Sequence, residues 1–232
     1  MRKSRVLFKV FIVVCAIAIL CSSLYFLMNA RGFQLAGKIV THKDTDQKLI
    51  ALTFDDGPSV NTGEILEMLD ELDVKCTFFL TGESIEKNLE TAKTIVAAGH
   101  QIGNHSYSHQ RMVFKNSEWI SNEIDRTNAL IRDAGYEGMI YFRPPNCKKL
   151  LLLPMALAKR DMTTITWNVE VSGDEKPEDI ADAVIRQVQP GSIILLHIMY
   201  NEDERDAVPI IIHSLLEEGY QFVTVGELLA SS

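Results

Sequence analysis

Cysteine is scarce in this chain of 232 residues, and acidic residues are missing from its first 38. Of four cysteines, Cys15 and Cys21 fall inside an apolar run, which leaves Cys76 and Cys147 for the remainder. Those two have no framework spacing, which argues against a disulfide-stapled scaffold. Cys76 reads as a buried thiol within an apolar strand. With 7 prolines and 13 glycines, no internal repeat and no low-complexity tract, collagenous and disordered classes are excluded. Apolar residues at 47% and charged residues at 23% are ordinary for a globular fold, and the length suits one domain.

The missing acid divides the chain. Residues 1–38 hold Arg2, Lys3, Arg5, Lys9, Arg31 and Lys38. The other 17 basic residues face all 31 acids, so residues 39–232 carry −14 while the whole chain carries −8. A body that acidic repels phosphate backbones, and nucleic acid is not an expected partner.

Residues 10–28 are nineteen positions without a charge. At 1.5 Å per residue they approximate the hydrocarbon thickness of a bilayer. A secretory signal needs only about 7–15 apolar residues and a small-x-small cleavage site. Cys21-Ser22-Ser23 and Met28-Asn29-Ala30 match that site poorly or in part, and Leu20 defeats a lipoprotein reading of Cys21. The four basic residues before the run place the N-terminus in the cytoplasm. The expected organisation is a cytoplasmic N-terminus (1–9), a transmembrane signal anchor (10–28), a tether (29–46) and an extracytoplasmic body (47–232). The chain is then a single-pass protein of the cell membrane, or a secreted one if the N-terminal segment is cleaved.

From residue 49 the chain alternates strand-like and helix-like stretches. Strands are predicted at 49–54, 74–80, 101–104, 140–143, 163–167, 193–197 and 221–225. Helical spacing marks 85–98, 119–134, 177–188 and 207–218, and also Ile65, Leu66, Leu69 and Leu72. Asn61, with Glu64 three residues on, suggests a capping box before the last of these. Seven such alternations, with strands too apolar to have a wetted face, predict an α/β fold with about seven parallel strands. A closed or partly closed (β/α)-barrel is the economical arrangement. Functional groups of such a fold gather at the C-terminal strand ends.

Polar residues interrupt at four of those ends. Asp55 and Asp56 follow the first strand, so one carboxylate can bind a cation while the other stays free. His105 and His109 follow the third, spaced to chelate a metal if they share one side of a helical turn. Two imidazoles and one carboxylate, with positions left open, form the ligand set of catalytic zinc sites. Arg143 directly follows an apolar strand and needs a buried acidic partner, for which Asp55 is the natural candidate. His197 ends the sixth strand. His42, His100 and His213 read as surface or structural residues.

Thr53-Phe54-Asp55-Asp56-Gly57-Pro58, His105-x-x-x-His109, Arg143-Pro144-Pro145 and Leu195-Leu196-His197, in that order, resemble the polysaccharide deacetylase family (NodB homology domain, carbohydrate esterase family 4). The similarity covers roughly residues 47–228. It implies a distorted (β/α)-barrel and makes residues 47–232 the catalytic domain. By position, Asp55 matches the family's catalytic base, and Asp56, His105 and His109 match its metal triad. Arg143 matches the arginine that positions the base, and His197 matches the general acid. The implied reaction removes N-acetyl groups from amino sugars of a polysaccharide: peptidoglycan, a chitin-type chain or poly-N-acetylglucosamine. A divalent metal is the implied cofactor, zinc first, with cobalt or another divalent ion as the alternative. A backbone N–H near Pro145-Asn146 would face the oxyanion. The alternatives are an O-acetyl polysaccharide esterase and a glycan-binding relative without turnover.

Two departures stand out. Asn146 and Cys147 replace the family's aromatic residue and glycine; if glycine serves a positive φ there, a shifted loop is expected. No Asp-x-x-Asp-Trp pattern follows Trp167, so Asp174 is the candidate to tune His197, with Glu170 as fallback.

Overall fold

The run Leu-Ile-Ala-Leu-Thr-Phe-Asp forms the central strand of the body. In a computed structural model of the protein, which describes residues 2–171 and 176–231, this is β2 (Leu49–Asp55), buried from Ile50 onward. Burial on both faces explains its lack of alternation. The other strands are β1 (Ile39–Val40), β3 (Thr77–Leu80), β4 (Gln101–Asn104), β5 (Thr164–Ile165), β6 (Val169–Glu170), β7 (Ile193–Leu196) and β8 (Gln221–Phe222). They run in the order β4-β3-β2-β7-β6, with β8 on the start of β2 and β1 beside β5. All these pairings are parallel. Single-residue bridges carry the sheet round: Phe142 joins Asn104 to Thr164, and His42 meets Ser192. The result is a distorted parallel barrel.

Several details depart from the sequence reading. Residues 140–143 give only the Phe142 bridge, because Pro144 and Pro145 offer no N–H to extend a ladder. The strands predicted at 163–167 and 221–225 contract to two residues each, and β6 and β1 were not foreseen. Ile39 and Val40 lie in residues read as tether, yet they pair with Thr164 and Ile165.

The helices lie outside. They are α1 (Arg2–Asn29), α2 (Thr62–Glu71), α3 (Gly82–Lys87), α4 (Leu89–Ala97), α5 (Ser117–Asp133), α6 (Leu152–Ala158), α7 (Pro177–Ile185), α8 (Glu202–Glu217) and α9 (Val225–Ala230). The helix expected over 85–98 is split at Asn88, whose φ of −137° and ψ of 51° are not helical. Asn61 makes no capping bond, because its amide donates to the Met199 carbonyl instead. A capping box does form at α9, between Thr224 and Glu227. Within α1, Val6–Asn29 is long and apolar enough to cross a membrane by length and composition.

All four cysteines are free, and Cys76 is fully buried, where desolvation pushes its thiol up. His100 is buried beside it, and its Nδ1 accepts the Cys76 N–H at 3.1 Å. Burial pushes the imidazole pKa from 6.5 down to about 4. The fold thus favours neutral His100, while the unfolded chain protonates it below about 6.5. Stability from this residue is full above that pH and is lost as pH falls toward about 4. His100→Asn, which keeps an acceptor, should flatten this part of the profile, read as melting temperature against pH.

Candidate active site

The motifs meet at the C-terminal rim of the barrel. Asp55 ends β2, His105 follows β4, Arg143 follows the Phe142 bridge and His197 follows β7. Together with Asn29, Arg31, Asn146, Cys147, Trp167, Glu170 and Leu195, three of them and His109 line a pocket of about 360 Å³; Arg143 lies beneath it. Its guanidinium is fully buried, donating to Asp55 Oδ1 at 2.6 Å, Thr53 Oγ1 at 2.8 Å and the Thr166 carbonyl at 3.2 Å. The Phe79 ring lies under it at 4.0 Å. Burial alone would raise the Asp55 pKa, but Arg143 first, then His105 and His197, outweigh it and hold the carboxyl below its usual range. Burial likewise pushes Arg143 down, against the pull of Asp55.

Asp56, His105 and His109 bring one donor atom each to within 4.8 Å of one another. His109 Nε2 lies 3.4 Å from Asp56 Oδ1 and 3.2 Å from His105 Nε2. The Arg143 carbonyl sits 2.8 Å from His105 Nδ1, so that nitrogen carries the proton and Nε2 keeps its lone pair inward. Burial drives His105 toward the neutral form, against the pull of Asp55 and Asp56. An imidazole fixed in that tautomer is the form that ligates a metal, so the donor set fits a divalent ion with open positions.

The two histidines do not share a helical turn; the segment after β4 is a loop. Ser106 and His109 take left-handed φ values of 65° and 56°, which fold the loop back on itself. Glu123, a buried residue of α5, holds that loop by accepting Tyr107 N–H at 3.0 Å and Ser108 N–H at 2.8 Å. Its role was missed in the sequence, where a lone acid among Ile120, Ile124 and Thr127 was the available signal. Asp56 also needs a left-handed φ, 66°, to turn away from Asp55.

Around residue 145, Asn146 and Cys147 take positive φ values of 52° and 57° although neither is glycine. Asparagine tolerates that region, which explains its presence, while cysteine bears the strain that glycine would avoid. Pro145 lacks an N–H, and among the described residues the Asn146 N–H has no acceptor, so it is free to meet a ligand. His197 borders the pocket with its side chain 43% exposed. Its backbone N–H donates to Glu204, whose Oε2 lies 4.0 Å from His197 Nδ1. Glu204 was not foreseen. Asp174 lies outside the described residues, and Glu170 is paired with Arg31 rather than with His197.

The family model described as "Polysaccharide deacetylase" matches residues 42–184. This chain is a member of the polysaccharide deacetylase family. The bifunctional xylanase/deacetylase of Pseudobutyrivibrio xylanivorans is 37% identical over 79% of the chain, which spans only 31% of that protein. A peptidoglycan-N-acetylglucosamine deacetylase of Bacillus cereus is 35% identical, over 79% of this chain and 69% of its own length. Among solved structures, a CE4 family pseudoenzyme from Bacillus anthracis aligns with a TM-score of 0.77 at 31% identity, covering 84% of this chain and 70% of that one. A family 4 acetyl xylan esterase from Clostridium thermocellum, in complex with a cobalt ion, aligns at 0.71 and 36% identity, covering 78% and 90%.

Arg143→Ala leaves Asp55 charged and buried without its partner. The substitution should cost about 3–5 kcal/mol of stability, read from denaturant unfolding.

Proposed function

We propose that the chain is a membrane-anchored, metal-dependent hydrolase that removes N-acetyl groups from amino sugars of a cell-wall or extracellular polysaccharide. Its substrates in this reading are peptidoglycan, a chitin-type chain or poly-N-acetylglucosamine, and its products are acetate and the free amine. The observation that carries it is an ion-paired Asp55 beside the Asp56, His105 and His109 donor set, with Asp55 and both histidines lining one pocket. The B. cereus relative is named for peptidoglycan deacetylation, which agrees with this class of substrate. The apolar helix is a single-pass anchor with its N-terminus in the cytoplasm and the catalytic domain outside.

When bound, a divalent ion, with zinc the first choice and cobalt the alternative, supplies a water acidified from 15.7 toward about 7 and polarises the acetyl carbonyl. Asp55 is the base. Arg143 occupies its Oδ1, which leaves Oδ2 to take the proton of the attacking water. The Asn146 N–H faces the oxygen that gains charge as the tetrahedral centre forms. His197, as imidazolium, delivers a proton to the sugar nitrogen while the C–N bond breaks. Without that proton the leaving amide nitrogen would depart as a strong base, a poor leaving group. Asp174 is the candidate to tune His197.

An O-acetyl esterase is the second reading, supported by the likeness to a xylanase/deacetylase and to an acetyl xylan esterase. The same groups would serve, and the alkoxide leaves more easily. The likeness to a pseudoenzyme keeps a glycan-binding relative without turnover as the third.

The full chain in detergent, with zinc or cobalt, is expected to release acetate from N-acetylglucosamine oligomers. Asp55→Asn should slow that release by about 10²–10⁴-fold. His109→Ala should weaken metal binding in calorimetry. Faster release from acetylated xylan would favour the esterase. No release from any acetylated substrate, with metal demonstrably bound, would leave the binding relative.

A further inference from the structure

The segment Lys148-Lys149-Leu150-Leu151-Leu152-Leu153-Pro154-Met155 takes no part in the chemistry above, and only part of it enters the core. Leu153 is buried, but Leu151, Leu152 and Met155 are 47%, 42% and 40% exposed. Leu152 and Met155 stand three apart on α6 and share a face. Phe114, 84% exposed, lines an apolar groove together with Lys115, Leu151 and Leu152. Such a cluster on a protein surface marks a contact with another apolar phase.

Its position identifies that phase. The Lys149 N–H donates to the Met28 carbonyl at 3.2 Å, and its ammonium donates to the Ala30 carbonyl. The Lys148 ammonium donates to the Asn29 side chain and lies 5.6 Å from the Tyr25 ring centroid. Tyr25 is one turn inside α1, within the stretch that is long and apolar enough to span a bilayer. The loop leading into α6 is therefore level with the last turn of that span. Lys149 is buried between this loop and the end of α1, whereas Lys148, half-buried, lies at headgroup depth, and the adjacent exposed leucines meet the acyl boundary.

We propose that Phe114, Leu151, Leu152 and Met155 form a second contact with the bilayer, which seats the catalytic body on the membrane beside its anchor. The partner is the lipid surface, and the proposal rests on the anchor reading of α1. Asn29 and Arg31, the residues that leave the span, line the pocket. Arg31 is fixed there by Glu170, by the Trp167 ring at 5.0 Å and by the Thr166 hydroxyl, which donates to its carbonyl at 3.0 Å. The pocket opens in the interfacial layer, so the glycan it takes is the part lying against the outer face of the bilayer.

The test uses the full chain in phosphatidylcholine/phosphatidylglycerol vesicles, with and without lipid carrying a nitroxide at the top of its acyl chain. Tryptophan placed by Leu152→Trp should emit at shorter wavelength than one placed by Ile210→Trp on α8. It should also lose about half of its emission to the nitroxide, as a side chain buried at the headgroup boundary does, once the Trp119 and Trp167 background is subtracted. Phe114→Trp gives an independent second position. Quenching no greater than that of Ile210→Trp at both positions overturns the proposal. Flotation separates the two readings. A chain that fails to float with vesicles overturns the anchor and the seating together, and one that floats without quenching at either position overturns the seating alone.

Discussion

The ion pair between Arg143 and Asp55 is the constraint on which the site depends. Taking both charges out of water costs several kcal/mol per ion, and only complete partnering offsets it. Thr53, two residues back on the same strand as Asp55, accepts from the guanidinium, as do the carbonyls of Ile165 at the end of β5 and Thr166 just after it. The Phe79 ring closes one face of it. The backbone carbonyl of Arg143 then fixes the His105 tautomer. One buried residue thus orients the carboxylate read as the base and one of the imidazoles of the candidate metal site. It does so by joining β2, β4 and β5, which are distant in sequence.

Around that pair the backbone is strained. Asp56, Ser106, His109, Asn146 and Cys147 all hold positive φ values. Conformations of this kind cost of order 1–3 kcal/mol each and persist only where the surroundings over-determine them. The surroundings here are specific. Asn104 Oδ1 accepts the Ser106 N–H, the Ser106 hydroxyl accepts the His109 N–H, and Glu123 accepts two further N–H groups of the same loop. The loop is therefore set before any ligand arrives, which is what a chelating site requires.

The N-terminal stem is built into the same architecture. β1 pairs with the edge of β5 opposite the Phe142 bridge, and residues 29 and 31 reach the pocket wall. A short strand taken from the stem and the bridges at Phe142 and His42 carry the sheet round. This explains why the barrel is distorted and why the stem cannot be regarded as a passive spacer.

Much of this was legible in the sequence. The apolar N-terminal helix, the parallel α/β class, Asp55 and Arg143 as partners and a site built on His105, His109 and one carboxylate followed from residue type, run length and placement at strand ends, while the family resemblance pointed to Asp56 as that carboxylate. These are properties of a short window, where burial on both faces demands unbroken apolar runs and a buried charge demands an opposite one. Tertiary structure alone decided the rest. It put the two histidines on a left-handed loop instead of a helix, gave the capping box to Thr224 and Glu227 rather than Asn61, set Glu204 beside His197 and drew Ile39 and Val40 into the sheet. Each of these depends on a partner many residues away, whether an acceptor, a strand edge or a packed side chain, and local spacing carries no record of which distant group folding will bring into reach.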